Sequence, residues 1–220
     1  MIATDSKFTP SPPLGGLSPT PRQASAQRLF DLLVAIPILI FLLPIFVAII
    51  VWIKLDSRGP AFFLQQRVGR FGHPFRIFKF RSMIVEAEQA GTQITIGRDP
   101  RITRCGRILR QYRLDELPQL LNIIKGEMSL VGPRPEVPRY VALYTVEQQS
   151  ILAVRPGLTS PATITFNNES ELLARQPDPE QYYRSELIPA KIRRDLEYSR
   201  QATVWTDCVV ICRTLRRILR

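Results

Sequence analysis

Two adjacent carboxylates, Asp115 and Glu116, sit in the stretch RQYRLDELPQLLNIIKGEMSLVGPRPE, with Arg110 and Arg113 just upstream. Neighbouring acids concentrate negative charge, which a cation normally offsets. Arg134 stands between Pro133 and Pro135, and Arg155 precedes Pro156-Gly157. Proline presets the backbone, so these loops can hold guanidinium forks in position at small entropic cost. A guanidinium suits bidentate contact with phosphate. Two carboxylates able to hold Mg²⁺, beside rigid arginines, make a candidate site for a diphosphate substrate. Adjacent acids also decorate solvated helices, and the pair taken alone leaves that reading open.

The remaining reactive residues narrow the chemistry. The single histidine, His73, lies between Gly72 and Pro74 in a turn-like stretch, and one histidine builds no multi-histidine metal site. Chemistry that ordinarily relies on histidine must use another group. Cys105, Cys208 and Cys212 have no metal-finger spacing. They are expected to be small buried apolar side chains in a reducing compartment, the last two on one helix face. The 220 residues carry 30 Lys and Arg against 19 Asp and Glu, a formal net charge of +11. Such a surface attracts polyanions: nucleic acid, anionic headgroups or phosphorylated substrates. With 45% hydrophobic residues the chain is not a disordered polyelectrolyte, and its length suits one domain.

The elements that must position these residues begin after a Pro-rich segment, residues 1 to about 25, expected to be a flexible tail. Leu32 to Ile53 contains no charge, and as a straight helix it would rise about 33 Å, enough to cross a bilayer core. Pro37 and Pro44 interrupt it, and a break at Pro44 would leave two legs of about 18 and 14 Å. Arg28 precedes the run and Lys54 and Arg58 follow it. Basic residues on both sides favour the cytoplasmic face at both ends, as in a re-entrant hairpin over residues 29–54. A kinked spanning helix is the alternative.

Downstream, PAFFLQQRVGRFGHPFRIFKFRSM predicts a short β-hairpin, and Ile84 to Gly91 a helical turn or two. Ile102 to Lys125 has helical periodicity interrupted by Pro118, which predicts two helices with Asp115-Glu116 near their junction. Two Pro/Gly loops, VGPRPEVPR and VRPGLTSPA, bracket a short helix near Tyr140 to Gln149. Helices near Pro179–Tyr198 and Val204–Arg220 close the chain. The last sets Trp205, Val209, Cys212 and Leu215 against Arg213, Arg216 and Arg217, a pattern that fits either a headgroup interface or a surface helix packed on the core. The fold class expected is α+β: a mainly helical single domain, residues 26–220, with a short β-hairpin and an N-terminal membrane helix broken at proline.

The segments KFRSM (79–83), DPRITRCGRILR (99–110), LDELPQLLNIIKGEMSLVGPRP (114–135) and VRPGLT (154–159) resemble the bacterial sugar transferases, the monotopic phosphoglycosyl transferases. The resemblance runs from about Arg28 to the C-terminus. It implies a re-entrant helix, a Mg²⁺ requirement with Asp115 and Glu116 as metal and catalytic residues, and a two-step reaction. In that reaction Asp115 attacks the β-phosphate of a UDP-sugar, expels UMP and passes the phosphosugar to polyprenyl phosphate. Arg110, Arg134 and Arg155, and Lys79 beside them, are implied to hold the phosphates. The product would be the first lipid-linked sugar of an exopolysaccharide, O-antigen or capsule. Two departures stand out. Leu43 precedes Pro44 where the family has serine, and SPATITFNNESELL follows VRPGLT where many members have Gly-Trp-Ala-Gln. No sugar preference is therefore carried over.

The implied partners are the UDP-sugar, polyprenyl phosphate and inner-membrane lipids on the cytoplasmic face, with homo-oligomerisation left open. A membrane-tethered scaffold binding anionic lipid or nucleic acid is the rival reading. Arginines lying in Pro/Gly loops rather than along one basic helix argue against nucleic acid.

Overall fold

The computed structural model describes residues 21–85, 87, 94–97 and 99–218. The apolar run forms part of one 36-residue helix, α1 (Pro21–Asp56), which begins inside the stretch expected to be a tail. Pro37 and Pro44 both lie within it, and the helix continues through each. The expected break into two legs at Pro44 is thus not the path of the backbone. Packing on both sides of that proline supplies the reason. Ala35 is buried in one cluster with Ile77, Ile123 and Val210, and Phe46, Ile49 and Ile53 in another with Phe80, Cys105 and Leu109. Leu39 and Leu42 pack against both. Proline in a helix costs about 3 kcal/mol, whereas burying Phe46, Ile49 and Ile53 contributes about 1.5–3 kcal/mol each. The opposite face is bare, with Leu33, Ile40, Phe41 and Leu55 all more than half exposed. By length and composition α1 could cross a membrane.

The predicted hairpin is present. β1 (Phe62–Val68) pairs antiparallel with β2 (Pro74–Phe80) in a register that sets Phe62 opposite Phe80 and Val68 opposite Pro74. Its turn places Phe71 and Gly72 at positive φ and leaves His73 exposed, a solvated turn residue as expected. The helical turn expected over Ile84 to Gly91 falls largely outside the described residues.

The helical pattern after Ile102 divides into two helices with Asp115-Glu116 at their junction, as expected, although the first ends well before Pro118. α2 (Arg104–Gln111) is capped by Thr103, whose hydroxyl accepts from the Gly106 N–H at 2.9 Å. It ends at Tyr112, and Arg113 then turns left-handed with φ 52°. A 3-10 segment (Leu114–Gln119) contains both Asp115 and Pro118 and leads into α3 (Leu120–Lys125). The break precedes Pro118 by five residues, because a 3-10 turn accommodates a proline that an α-helix interior would not.

The two Pro/Gly loops are not independent. β3 (Ser129–Val131) and β4 (Gly157–Thr159) form a short parallel pair that joins them. The backbones meet so closely at Gly132 and Gly157 that a Cβ on Gly157 would lie 2.1 Å from the Gly132 nitrogen. Only glycine fits there, and Arg134 is fixed two residues beyond that contact.

Beyond β3 come α4 (Pro138–Val141) and α5 (Val146–Gln149), two short helices where one was expected. After β4 follow α6 (Pro161–Thr165), α7 (Glu169–Ala174) and α8 (Pro179–Tyr182). A π-helical turn (Tyr183–Leu187) leads into α9 (Ile188–Ser199), and α10 (Val204–Ile218) closes the fold. A third cluster, around Tyr140, Leu173, Tyr183 and Ile192, forms the core of this later half. The result is one mainly helical α+β domain.

Candidate active site

The Asp115-Glu116 pair is held by three elements that meet under α1. Asn122, fully buried on α3, accepts from the Phe78 N–H at 3.0 Å and donates to the Arg76 carbonyl at 2.8 Å and to Glu127 at 2.7 Å. That clamp locks β2 against α3, directly after the 3-10 segment that carries the dyad, and so helps set Lys79 beside Glu116. The motif reading did not single out Asn122. A polar residue inside a predicted amphipathic helix was its only signal.

Glu116 is buried and carries three cations. Lys79 Nζ is 3.3 Å from Oε1, Arg134 donates to both oxygens with one bond at 3.1 Å, and Arg113 is 3.9 Å from Oε2. Burial alone would raise this carboxyl. The charges of Arg134 and Lys79 and the bonds from Arg134 outweigh it and hold Glu116 well below the carboxylate range. Burial lowers Lys79 to about 8 against the pull of Glu116. Glu116 in turn holds Arg134 firmly charged.

Asp115 is equally buried and quite differently placed. Among the described residues no group bonds its carboxylate, which faces a cavity. Burial first, then the adjacent Glu116 charge, pushes it up to about 6, against Lys79, Arg110 and Arg134. One carboxylate of the pair is therefore tied down and the other is left open, as a nucleophile requires.

Two cavities meet at this residue. A polar one of about 470 Å³ is lined by Lys79, Arg110, Arg113 and Arg134. Asn167 and Asn168 between α6 and α7, and Arg217 of α10, line it as well. A second, of about 640 Å³, shares Asp115, Lys79 and Arg134 and reaches Pro60, Phe62 and Phe63, next to the C-terminal end of α1. Both volumes lie in the usual range for small-molecule sites.

The structure brings together Asp115, Glu116, Lys79, Arg110 and Arg134, but not Arg155. The nearest charges to Arg155 are Arg28, Asp31 and Arg70, and it lines neither cavity. Its Pro-Gly neighbours fix the backbone, but the chain points the side chain toward α1. Arg28, expected as a membrane-flanking charge, donates to the Ile124 carbonyl at 2.7 Å and caps α3. Of the cysteines only Cys105 is buried; Cys212 is exposed on α10, against expectation. That helix packs one face on the core and leaves another exposed. Asp207 and Val210 are buried, whereas Trp205 is 77% and Leu215 54% exposed.

A family model described as bacterial sugar transferase matches residues 22–220. The chain is 37% identical over 209 residues to a UDP-N-acetylgalactosamine-undecaprenyl-phosphate N-acetylgalactosaminephosphotransferase of Aeromonas hydrophila, covering 94% of this chain and 46% of that protein. It is 37% identical over 198 residues to an undecaprenyl-phosphate glucose phosphotransferase of Komagataeibacter xylinus, covering 87% and 35%. It is 33% identical over 218 residues to the exopolysaccharide production protein ExoY of Sinorhizobium fredii, covering 92% and 86%. The chain thus spans less than half the length of the first two relatives and most of the third. With the family model matched across the buried dyad and both arginine-bearing walls, the chain belongs to the bacterial sugar transferase family.

Proposed function

We propose that the protein transfers a sugar-1-phosphate from a UDP-sugar to polyprenyl phosphate, with Asp115 as the nucleophile. The observation that carries this reading is the asymmetry of the dyad: Glu116 is bonded by Lys79 and Arg134, whereas Asp115 is unbonded among the described residues and open to both cavities. The relatives named for undecaprenyl-phosphate phosphotransfer support the same substrate classes.

In the first step an Asp115 carboxylate oxygen bonds to the β-phosphorus. The bond from that phosphorus to the bridging oxygen breaks, and UMP leaves with that oxygen. The enzyme then holds the phosphosugar as an acyl phosphate. In the second step a phosphate oxygen of the polyprenyl phosphate attacks the same phosphorus, and Asp115 leaves as a carboxylate. Lys79, Arg110 and Arg134 stabilise charge on the phosphoryl oxygens, and no histidine takes part. The second cavity, beside the end of α1, suits an acceptor whose phosphate sits at the headgroup plane.

Mg²⁺ is a further part of this proposal. It ordinarily takes one or two carboxylates and completes its shell with water and phosphate oxygens. That fits a site where Asp115 and Glu116 are adjacent and both line the polar cavity. Those two would hold the ion, which when bound would neutralise diphosphate charge.

Two measurements test the reading. UMP release from a panel of UDP-sugars with Mg²⁺ and polyprenyl phosphate is expected for at least one sugar; release from none contradicts it. With that sugar, kcat/KM for the donor is expected to rise through about pH 6 as Asp115 ionises. It then falls above about pH 8 as Lys79 loses the proton that keeps Glu116 paired. A flat profile between pH 5 and 9 contradicts those assignments.

The membrane arrangement follows from how α1 is fastened. Near one end Arg28 bonds α3, and at the other Asp56 accepts from the Cys105 N–H at 3.0 Å. A helix tied at both ends to one polar body cannot carry its ends to opposite faces of a core about 30 Å thick without drawing charge into lipid. We infer that α1 lies with both ends on the cytoplasmic face of the inner membrane and its bare face in lipid. Tags at the N-terminus and at residue 60 should both label from the cytoplasm; a periplasmic N-terminus would establish a span instead.

A further inference from the structure

α10 brings into the Asp115 cavity a cation that none of the recognised motifs contains. Arg217 lies 102 residues beyond Asp115 in a helix whose basic face reads, from sequence, as solvent- or membrane-facing. It lines the polar cavity with Thr214, and one of its nitrogens donates to Asn167 Oδ1 at 2.9 Å. Thr214, one turn earlier, meets Thr159 of β4 at 2.7 Å between hydroxyl oxygens, which fixes this end of the helix against the cavity wall.

Charge balance gives this position a role. Of the five cations around the cavity, Lys79, Arg113 and Arg134 all face Glu116. Arg110 is bonded to a neutral partner, Thr95, at 2.8 Å, and Arg217 likewise to Asn167. Among the described residues no carboxylate pairs with either. Glu171 lies on the same wall, exposed. The two guanidiniums without an ion-pair partner among the described residues therefore stand on different elements, α2 and α10, and both line the cavity of the open carboxylate, whose charge Arg110 feels across the cavity. A diphosphate approaching Asp115 carries negative charge that the Glu116-bound cations only partly meet, and guanidinium is the group best shaped to take the rest.

We propose that Arg217 is a donor-binding residue which, with Arg110, clamps the diphosphate of the nucleotide sugar from two sides. The Asn167 carboxamide acts as the strut that aims it. The inference rests on the transfer reaction proposed above for its substrate, and its physical content is a diphosphate site shared by α2 and α10.

The test uses the full chain in detergent or nanodiscs. Arg217→Gln should raise the donor KM about tenfold, with kcat changed less than about threefold, and Arg217→Lys should recover part of the loss. Arg216→Gln, one residue away and outside the cavity, should leave KM unchanged. A merely structural Arg217 would lower the melting temperature and leave the KM-to-kcat split and the lysine rescue unmoved. If Arg217→Gln does not fold, Arg217→Lys carries the test alone: an intermediate KM supports the clamp and a wild-type KM overturns it. Inorganic pyrophosphate is titrated in parallel by calorimetry. Tighter binding to wild type than to Arg217→Gln supports the clamp, and equal or no binding overturns it. If no UDP-sugar releases UMP, the transfer reading falls while the titration still decides the diphosphate site.

Discussion

Asp115→Asn is expected to reduce sugar-phosphate transfer by at least roughly 10³-fold while leaving the fold near wild type. The carboxamide occupies the same space, and Asp115 makes no bond among the described residues whose loss would unfold the site. The two other effects of the change are small. Removing a buried negative charge next to Glu116 relieves repulsion, so stability should hold or rise slightly. Lys79 and Arg134 keep Glu116 as their partner. Loss of rate with the fold retained is thus what a missing nucleophile predicts. UMP release at the wild-type rate by this variant would end the covalent mechanism.

Glu116→Gln should act in the opposite way, on stability as well as rate. It leaves Lys79, Arg113 and Arg134 clustered around a neutral group. Breaking a buried ion pair by removing one partner costs about 3–5 kcal/mol. Because the Arg134 side chain is 34% exposed, water screens part of that, and the lower end applies. At about 2–4 °C per kcal/mol for a domain of this size, the melting temperature should fall by roughly 6–12 °C near pH 7. The pH dependence has a definite sign. Glu116 is held below its ordinary value of 4.5, so the stability it contributes is complete above that pH and is lost as pH falls through the depressed value. The gap between wild type and variant should therefore close in acid. Activity should fall about 100-fold as Lys79 and Arg134 lose their anchor. Its acidic limb should move below about pH 6, because Asp115 no longer has a negatively charged neighbour while Lys79, Arg110 and Arg134 remain. An unchanged melting temperature together with an unchanged limb would contradict the network.

The residues in the Asp115 motif were legible in sequence because short-range chemistry determines them. Adjacent acids, a proline-bracketed Arg134 and an alternating hairpin each declare themselves within a few residues. Features set by distant contacts did not. The break expected at Pro44 was outweighed by packing from two clusters on either side of it. Arg155 carried the right residue type and rigid neighbours, yet proline and glycine fix where a backbone goes and not which cavity a side chain enters. Local pattern alone could not assign Arg217 or Asn122 to the site. One sits on a helix far along the chain, and the other is a buried amide whose role depends on bonding β2. The parallel β3–β4 pair went unread for a similar reason: three-residue strands 25 residues apart carry no periodicity, only the glycines that let them touch.

The most direct measurement is to incubate the protein with the UDP-sugar it accepts, without polyprenyl phosphate, and examine its peptides by mass spectrometry after a rapid quench. The expected result is a sugar-phosphate adduct on Asp115 that disappears when polyprenyl phosphate is added and never forms in Asp115→Asn. Transfer at full rate with no adduct on Asp115, or an adduct on a different residue, would contradict the account.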